Sequence, residues 1–204
     1  MRLLIATRSL GKQAEARRLL EAAGHEVVFP DEAGVPGTSI EETLEIEATF
    51  VGNARKKAEY FQRKTGLPTV ADDSGLEVLS LGGEPGVRSK RWAGAQGSPD
   101  EIDAANNAEL LRRLRGASAA RRTAQYRCIL VLLRSSDAKP EVFEGTCAGR
   151  ILEAPAGTGG FGYDQLFWSA ELDQSFGEAT AEEKDRVSHR GRAFRGLLKA
   201  LRDR

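Results

Sequence analysis

The first third of the chain alternates between short apolar runs and longer segments with helical periodicity. Apolar runs occupy residues 3–7 and 26–29, and a third run, residues 68–71, leads into two adjacent aspartates. Residues 12–23 and 47–64, which lie between these runs, carry Ala and Leu among charged residues in a helical pattern. Strands that alternate with helices predict parallel strands joined by crossover connections. The sequence therefore predicts an α/β fold.

The remaining two thirds contain further helices and strands separated by glycine-rich segments. Residues 98–114 begin with Ser-Pro-Asp-Glu, which is typical of a helix start. Residues 122–134 and 140–147 predict an antiparallel pair of strands around a polar turn, and residues 191–201 predict a last helix with an apolar stripe. Residues 81–97 are too long and too rich in glycine for a simple turn, so we expect an ordered functional loop.

Length, charge and cysteine content limit the class of protein. The 204 residues, 40% of them hydrophobic, predict a single domain (residues 1–204) with two lobes and no separate linker. Lys and Arg equal Asp and Glu at 30 each, so the net charge favours neither nucleic acid nor an anionic membrane as a partner. No segment approaches the roughly 20 apolar residues that span a bilayer, and the apolar run after Met1 is too short for a signal sequence. Cys128 and Cys147 lack metal-ligand spacing and are expected to be buried thiols. We expect a soluble, cytoplasmic protein.

The segment Ala71-Asp72-Asp73-Ser74-Gly75-Leu76 carries the clearest chemical signal. Successive side chains of a strand point to opposite faces, so Asp72 and Asp73 are expected to serve different purposes. Ligands of open α/β sheets bind at the carboxyl ends of the strands, where the sequence predicts this pair. Carboxylates placed there hold Mg²⁺ or polarise a water molecule.

Two segments before this pair could bind phosphate. The segment from Thr7 to Lys12 joins the first predicted strand to the first helix, where free backbone N–H groups attract anions; the alternative is an ordinary turn into a surface helix. It is not a Walker loop, because the glycine spacing is wrong and Gln13 follows the lysine. Asn53 and Lys57 are four residues apart on one helix face and could reach the same ligand; the alternative is a solvated basic face.

Two segments in the second half could bind a nucleobase. Residues 157–164 contain four glycines, which let the backbone approach a ligand closely, and Phe161 offers a flat ring; the alternative is a structural hairpin. Ser188, His189 and Arg190 precede the last predicted helix, where hydrogen-bond donors suit oxygen acceptors. The alternative for His189 is a structural or merely exposed side chain.

Taken in order, these motifs resemble a known family, the inosine/xanthosine triphosphate pyrophosphatases, also called non-canonical purine NTP pyrophosphatases. The resemblance covers nearly the whole chain and is most specific at residues 71–76, 81–89, 157–164 and 188–191. It implies an α/β fold with an elongated mixed sheet, flanking helices and two lobes around a central nucleotide-binding cleft. It also implies Mg²⁺-dependent hydrolysis of dITP, ITP and XTP to the monophosphate and pyrophosphate, by an enzyme that is usually a homodimer.

The resemblance also implies roles for individual residues. Asp73 corresponds to the general base and metal ligand, Ser74 touches substrate, and Lys57 is the helix lysine. Glu45 matches the second metal carboxylate by its offset from Thr49 and Phe50, and Glu42 and Glu47 remain open. The implied phosphate-binding loop consists of Thr7, Arg8, Ser9, Leu10, Gly11 and Lys12. The implied base pocket consists of Phe161, Gly162, Tyr163, Asp164, Lys184, His189 and Arg190.

Three positions depart from the family pattern. Ser9 stands where the family usually has Asn, Gly52 where it often has Glu, and Gln165 where Pro is frequent. The Gly52 departure removes a possible supporting ion pair and makes the metal geometry the part to examine. Two other functions remain open: a pyrophosphatase for other modified nucleotides, and a nucleotide-binding module without catalysis.

Overall fold

The alternation predicted for the first third builds the parallel part of a sheet. In the computed structural model, which describes residues 1–203, the first strands are β1 (Arg2–Ile5), β2 (Glu26–Val28) and β3 (Thr69–Val78). β1 pairs in parallel with both others, with Leu4 opposite Val28 on one side and opposite Thr69 on the other. The predicted α/β class is therefore confirmed.

In the part of the chain that the structure describes, four more strands complete a mixed sheet. They are β4 (Thr123–Leu133), β5 (Glu141–Ile151), β6 (Phe167–Ser169) and β7 (Gln174–Ser175). The strand order is β2-β1-β3-β4-β5-β6-β7, and the last two pairings are antiparallel. The sequence had predicted β4 and β5 as neighbours, which is confirmed. β6 and β7 were not predicted, because two or three residues are too few to show an alternating pattern.

Within the described residues 1–203, five α-helices accompany the sheet. They are α1 (Leu10–Glu21), α2 (Phe50–Thr65), α3 (Pro99–Arg113), α4 (Ala181–Val187) and α5 (His189–Arg202). α3 begins with the expected cap: the Ser98 side chain accepts from the Glu101 N–H, and the Glu101 carboxylate accepts from the Ser98 N–H. α2 ends at Thr65 and is capped by Gly66, whose φ of 67° is a left-handed conformation that glycine adopts without strain. Within residues 1–203, no helix is long and apolar enough to cross a membrane.

The helix predictions need two corrections near the carboxyl terminus. α5 begins at His189 rather than Gly191, so His189 and Arg190 lie in its first turn. α4 was missed, although the spacing of Thr180 and Glu183 is that of a capping box and both of its hydrogen bonds form. The glycine-rich segment 81–97 also holds a short 3₁₀ helix, Gly86–Arg91.

The chain folds as two compact units, each with its own core. The first unit contains residues 1–73, 128–145 and 190–204, of which Arg204 lies outside the described residues, and the second contains residues 74–127 and 146–189. Strands β3, β4 and β5 contribute residues to both. That residues 1–204 act as a single domain stays a prediction.

Each core is built from the apolar faces of the strands and helices of its unit. In the first unit, Leu3, Ile5, Leu20, Val70, Leu130 and Phe194 are fully or almost fully buried. In the second unit, Leu76, Leu110, Ile151, Leu166, Phe167 and Phe176 are buried in the same way. Both cysteines are buried thiols outside any disulfide, as predicted: Cys128 lies in the first core and Cys147 in the second.

The position of Asp72 and Asp73 differs from the prediction. The two residues lie near the middle of the ten-residue strand β3 and not at its carboxyl end. The parallel pairing with β1, however, ends at Ile5 opposite Val70, just before them. A hydrophobicity pattern does not show that the strand continues past Ala71, because the next two side chains are carboxylates. Both are buried and make polar contacts.

Candidate functional site

The two adjacent carboxylates of β3 contact different helices of the first unit. The Asp73 carboxylate meets side chains of α2, whereas the Asp72 carboxylate meets side chains of α1, α5 and β4. Consecutive side chains of a strand alternate between its faces, so the adjacent Asp72 and Asp73 meet two different sets of partner side chains. The prediction that the two residues serve different purposes agrees with this placement.

Asp73 is held between an amide and an ammonium group. The Asn53 Nδ2 donates to Asp73 Oδ2 at 2.9 Å, and the Lys57 Nζ lies 3.7 Å from Asp73 Oδ1. Burial raises the pKa of Asp73, and the charge of Lys57 offsets this only in part, so that the pKa stays above its ordinary value. A carboxyl group with such a pKa suits general base catalysis.

Lys57 connects Asp73 to the predicted metal carboxylate, Glu45. The Lys57 Nζ donates to Glu45 Oε1 and to the backbone oxygen of Asp72, at 2.6 Å in both cases. Burial alone would lower the pKa of Lys57, but Glu45 and Asp73 outweigh it and raise the pKa, so the ammonium stays charged.

The structure distinguishes the three glutamates that were open as the second carboxylate. Glu45 contacts Lys57, whereas the Glu47 carboxylate pairs with Lys56, one residue away on α2. Glu42 is exposed. A side chain at Gly52 would meet Glu47, because a Cβ there would lie 2.9 Å from the Glu47 Cβ. Of the three glutamates, Glu45 is therefore the one that contacts Lys57, the same lysine that lies beside Asp73.

The donor set around Lys57 fits a hard divalent cation. In residues 1–203 no three His, Cys, Asp or Glu side chains converge as a metal cage. Mg²⁺ does not need such a cage, because it uses one or two carboxylates and keeps water and phosphate oxygens as its other ligands. Glu45 and Asp73 both face the Lys57 cation, which shows that they converge on positive charge.

Asp72 is the centre of a buried network of charges. Its Oδ1 accepts from the Lys12 Nζ, its Oδ2 accepts from the Arg190 Nε at 2.8 Å, and the Cys128 Sγ lies 3.2 Å from Oδ2. Burial alone would raise the pKa of Asp72, but Arg190 and Lys12 outweigh it and hold the pKa well below its usual range. The Arg190 Nη1 also donates to Glu15 Oε2 at 2.5 Å. Asp72 is thus an ionised structural acid that holds Lys12.

The predicted phosphate loop leads from β1 into the first turn of α1. Ser9 is the extended residue before the helix and makes no side-chain cap, and the first turn of α1 holds no acidic residue. The N–H groups of that turn therefore meet no competing side-chain anion from within it, which suits phosphate. Lys12 lies in this turn, and Leu10 is 80% exposed.

Arg8, by contrast, donates to two carboxylates and one backbone oxygen outside the predicted loop. Its Nε and Nη2 donate to the two oxygens of Glu41, both at 2.7 Å, and its Nη1 donates to Asp31 Oδ1 at 2.6 Å. The Glu41 and Asp31 carboxylates raise the pKa of the guanidinium against a smaller effect of burial. Arg8 belongs to the predicted loop, but its charge is directed at residues 31–41 and not into the loop.

In the second unit, Asp164 organises the glycine-rich loop. Its Oδ2 accepts from the Phe161 N–H at 2.8 Å and from the Lys184 Nζ at 2.6 Å. A Cβ on Gly160, which has φ of 74°, would lie 2.3 Å from the same oxygen, so this position requires glycine. The Lys184 Nζ also lies 4.7 Å from the centre of the Phe161 ring.

The next two residues of the loop are fixed by neighbouring elements of the second unit. The Gly162 N–H donates to Asp103 Oδ2, and the Gly162 oxygen accepts from Asn107 Nδ2, both at 2.8 Å. The buried Tyr163 hydroxyl donates to the Ser89 oxygen at 2.8 Å. These contacts fix the position of Gly162 and Tyr163 within the second unit.

The predicted base pocket is divided by the structure. Five of its members, Phe161 to Asp164 and Lys184, lie together in the second unit. His189 is in the same unit and stacks on Tyr126, with ring centres 4.5 Å apart. Arg190 belongs to the first unit, where Asp72 and Glu15 bind its guanidinium, so its predicted contact with the base stays a prediction. Ser74, half-buried, is the first residue of β3 that belongs to the second unit.

Sequence reasoning missed several supporting residues. Glu15 is a buried acid three residues after Lys12, and its partner Arg190 is 175 positions away, so no local pattern marks it. Asp103 and Asn107 are four residues apart on α3, a spacing that places both on one helix face and that could have indicated their common target.

Comparison with known proteins assigns a family to this arrangement. The model of the Ham1 family matches residues 3–200. A dITP/XTP pyrophosphatase of Lactiplantibacillus plantarum is 46% identical over 196 residues, which cover 96% of this chain and 92% of that protein. A solved HAM1 protein of Coxiella burnetii superposes with a TM-score of 0.85 at 33% identity and covers 100% of both chains. A solved nucleoside-triphosphatase / dITP/XTP pyrophosphatase of Mycobacterium abscessus gives a TM-score of 0.70 at 41% identity, covering 97% of this chain and 99% of that one.

Proposed function

This chain belongs to the Ham1 family, and we propose on that basis that it hydrolyses non-canonical purine nucleoside triphosphates to the monophosphate and pyrophosphate. The proposed substrates are dITP, ITP and XTP, and the proposed consequence is that these nucleotides are removed from the nucleotide pool. The observation that carries the proposal is the Asp73 carboxylate, which is buried, has a raised pKa and is held between Asn53 and Lys57.

The first unit supplies the groups that a triphosphate requires. Lys12, Lys57 and the N–H groups at the start of α1 would offset the phosphate charge. Asp73 and Glu45 would hold Mg²⁺, which when bound would neutralise further phosphate charge. Asp73 then orients a water molecule and removes its proton as the water oxygen bonds to the α-phosphorus, while the bond from that phosphorus to pyrophosphate breaks.

Asp73→Asn tests the role of the base. The amide keeps the size of the side chain but cannot accept a proton, so we expect kcat to fall by about 10²–10⁴-fold with an unchanged circular dichroism spectrum. The matched control is Asp137→Asn, an exposed aspartate in the turn between β4 and β5, which should keep normal activity. An Asp73→Asn enzyme with nearly normal turnover would exclude Asp73 as the base.

Glutamine substitutions at the three candidate glutamates test the metal ligand. Glu45 lies beside Lys57, as Asp73 does, and is proposed to bind Mg²⁺ together with Asp73. Because Glu45→Gln removes one of these two carboxylates, it should raise the Mg²⁺ concentration needed for half-maximal activity. Glu42→Gln and Glu47→Gln, which lie outside this cluster, should not. Equal effects of all three substitutions would contradict the assignment of Glu45.

The second unit supplies the groups that a purine requires. The Phe161 ring offers a face for stacking, and hypoxanthine and xanthine carry a 6-oxo acceptor where adenine carries a 6-amino donor. We propose that His189 donates to this oxygen, and that Arg190 does so only after leaving Asp72 and Glu15. Recognition of this kind can discriminate by roughly 10⁴–10⁵-fold. His189→Phe keeps a ring on Tyr126 but removes the donor, so the preference for ITP over ATP should fall.

A substrate panel tests the proposal as a whole. Each of dITP, ITP, XTP, dATP and dGTP is incubated with and without Mg²⁺, and pyrophosphate and orthophosphate are measured separately. We expect pyrophosphate from the first three, only with Mg²⁺. Release of orthophosphate, or no turnover of any nucleotide, would contradict the proposed activity.

Assembly and location are further parts of the proposal. The family resemblance supports a homodimer in the cytoplasm. Sedimentation equilibrium at several protein concentrations tests the dimer, and cell fractionation tests the location.

A further inference from the structure

The segment that carries Glu45 is held by charges and not by a hydrophobic core. It is a short 3₁₀ helix, Ser39–Glu45, and none of these seven residues, all described, is buried. Ile40 within it is 56% exposed, and Ile46 directly after it is 70% exposed. A segment that buries so little apolar surface has little hydrophobic free energy to fix its position, so its polar contacts must do so.

Two ion pairs tie this segment to its neighbours at different points. Glu45 meets Lys57 of α2, and Glu41 meets Arg8, which lies between β1 and α1. A 3₁₀ helix has about three residues per turn, so side chains four residues apart do not share a face. The segment is therefore held on two sides, and the position of Glu45 depends on both contacts.

The contact between Arg8 and Glu41 is the more rigid of the two. Two parallel hydrogen bonds of 2.7 Å join the guanidinium to both carboxylate oxygens, a geometry that fixes orientation as well as distance. The same guanidinium donates to Asp31 and to the Val35 oxygen and lies 6.0 Å from the centre of the Phe61 ring. Arg8 is thus itself immobilised by groups outside the segment.

We propose that Arg8 is a positioning residue, which through Glu41 fixes the 3₁₀ segment so that the Glu45 carboxylate stays beside Lys57. The use of that carboxylate rests on the proposed function, whereas the clamp itself rests only on the contacts above. Arg8 lies in the predicted phosphate loop, so it links the loop that would hold phosphate to the carboxylate that would hold the metal. Its contribution to the reaction is indirect and passes through Glu45.

Hydrogen exchange of the free protein tests the clamp without any ligand. Arg8→Gln and Glu41→Gln should each speed amide exchange in residues 39–45, because either change breaks the pair of parallel hydrogen bonds and removes one of the two charges. The matched control is Arg17→Gln. Arg17 also pairs with two carboxylates, Glu21 and Glu32, and lies over an aromatic ring, but it does not contact this segment. Unchanged exchange in Arg8→Gln would overturn the proposal.

Binding of Mn²⁺, followed by electron paramagnetic resonance, tests the effect on Glu45. Loss of a residue that orients a metal ligand typically weakens metal binding about 10–100-fold, and we expect a loss in this range for Arg8→Gln. In a Glu45→Gln background, Arg8→Gln should weaken binding no further, because Arg8 acts through Glu45. A further loss of similar size in that background would overturn the positioning role.

The two measurements separate this inference from the proposed function. If the wild-type protein binds no Mn²⁺, the metal assignment fails, while hydrogen exchange still decides whether Arg8 clamps the segment. If Arg8→Gln speeds exchange but leaves Mn²⁺ binding unchanged, the clamp stands and the positioning of Glu45 is overturned.

Discussion

Replacing Asp72 by asparagine should destabilise the first unit far more than a usual charge substitution. The change keeps the shape of the side chain but removes the negative charge that Arg190 and Lys12 share. Asp72 and Arg190 are 4% and 3% exposed, so water cannot replace the lost partner. Removing one member of such a buried pair typically costs about 3–5 kcal/mol, and in Asp72→Asn the Glu15 carboxylate alone would compensate the buried charge of Arg190.

Urea unfolding of the wild type and of Asp72→Asn measures this cost. For a protein of about 200 residues, a loss of this size also lowers Tm by roughly 6–20 °C. The matched control is Glu26→Gln, which breaks the exposed pair of Glu26 with Arg2 and should cost less than about 1 kcal/mol. If Asp72→Asn unfolded within about 1 kcal/mol of the wild type, the buried charge network could not be what holds Lys12 and Arg190.

The pH dependence of the difference in unfolding free energy between the wild type and Asp72→Asn is a second, independent test. Because the folded pKa of Asp72 is well below its unfolded value of about 3.9, the stability it contributes is fully present above that value. This stability is lost as the pH falls through the folded pKa. The gap between wild type and Asp72→Asn should therefore be constant from about pH 7 to pH 5 and close only in stronger acid. A gap that closed near neutral pH would contradict the depressed pKa.

Three further predictions follow from the burial of single groups. Since burial raises the pKa of Asp73 in the metal-free protein, its carboxyl carbon, followed by NMR without Mg²⁺, should titrate above the ordinary value of about 3.9; a titration at or below that value would be inconsistent with the site. Cys128 and Cys147 are fully buried, so a thiol reagent at pH 8 should label neither in the native protein and both in denaturant, and rapid native labelling would show that the strands open. Lys184→Met should cost about 3–5 kcal/mol in urea unfolding, because it leaves the Asp164 carboxylate buried without its cation, and a cost below about 1 kcal/mol would contradict this pairing.

The fold was predictable where its signals are local. The alternation of strands and helices in the first third depends on patterns within ten to twenty residues, and the start of α3 depends on Ser98 and Glu101 alone. α4 was equally predictable from Thr180 and Glu183, and was missed because its seven residues carry only a short pattern.

The site was predictable only in its residue types. Asp72 and Asp73 indicated acid chemistry, but their division into a structural ion pair and a base depends on partners elsewhere in the chain. Arg190 lies 118 positions from Asp72, and its guanidinium donates to this acid. Likewise, the position of Arg8 near Lys12 predicts a phosphate ligand. In the structure, the fold of residues 31–41 brings the Glu41 carboxylate against the Arg8 guanidinium instead. Where a side chain has several possible partners, the tertiary structure decides which of them it contacts.

The single step between Asp72 and Asp73 makes the site sensitive to the register of β3. Deleting one residue among positions 69–71 would turn each following side chain of the strand to the other face, with Asp73 at the place of Asp72 and Ser74 at the place of Asp73. Asp73 would then face the buried Arg190 and Lys12, and the acid facing α2 would be lost. A change that alters no chemical group would thus exchange the base for the structural acid. We expect the length of this short run to be under stronger constraint than the identity of its apolar residues.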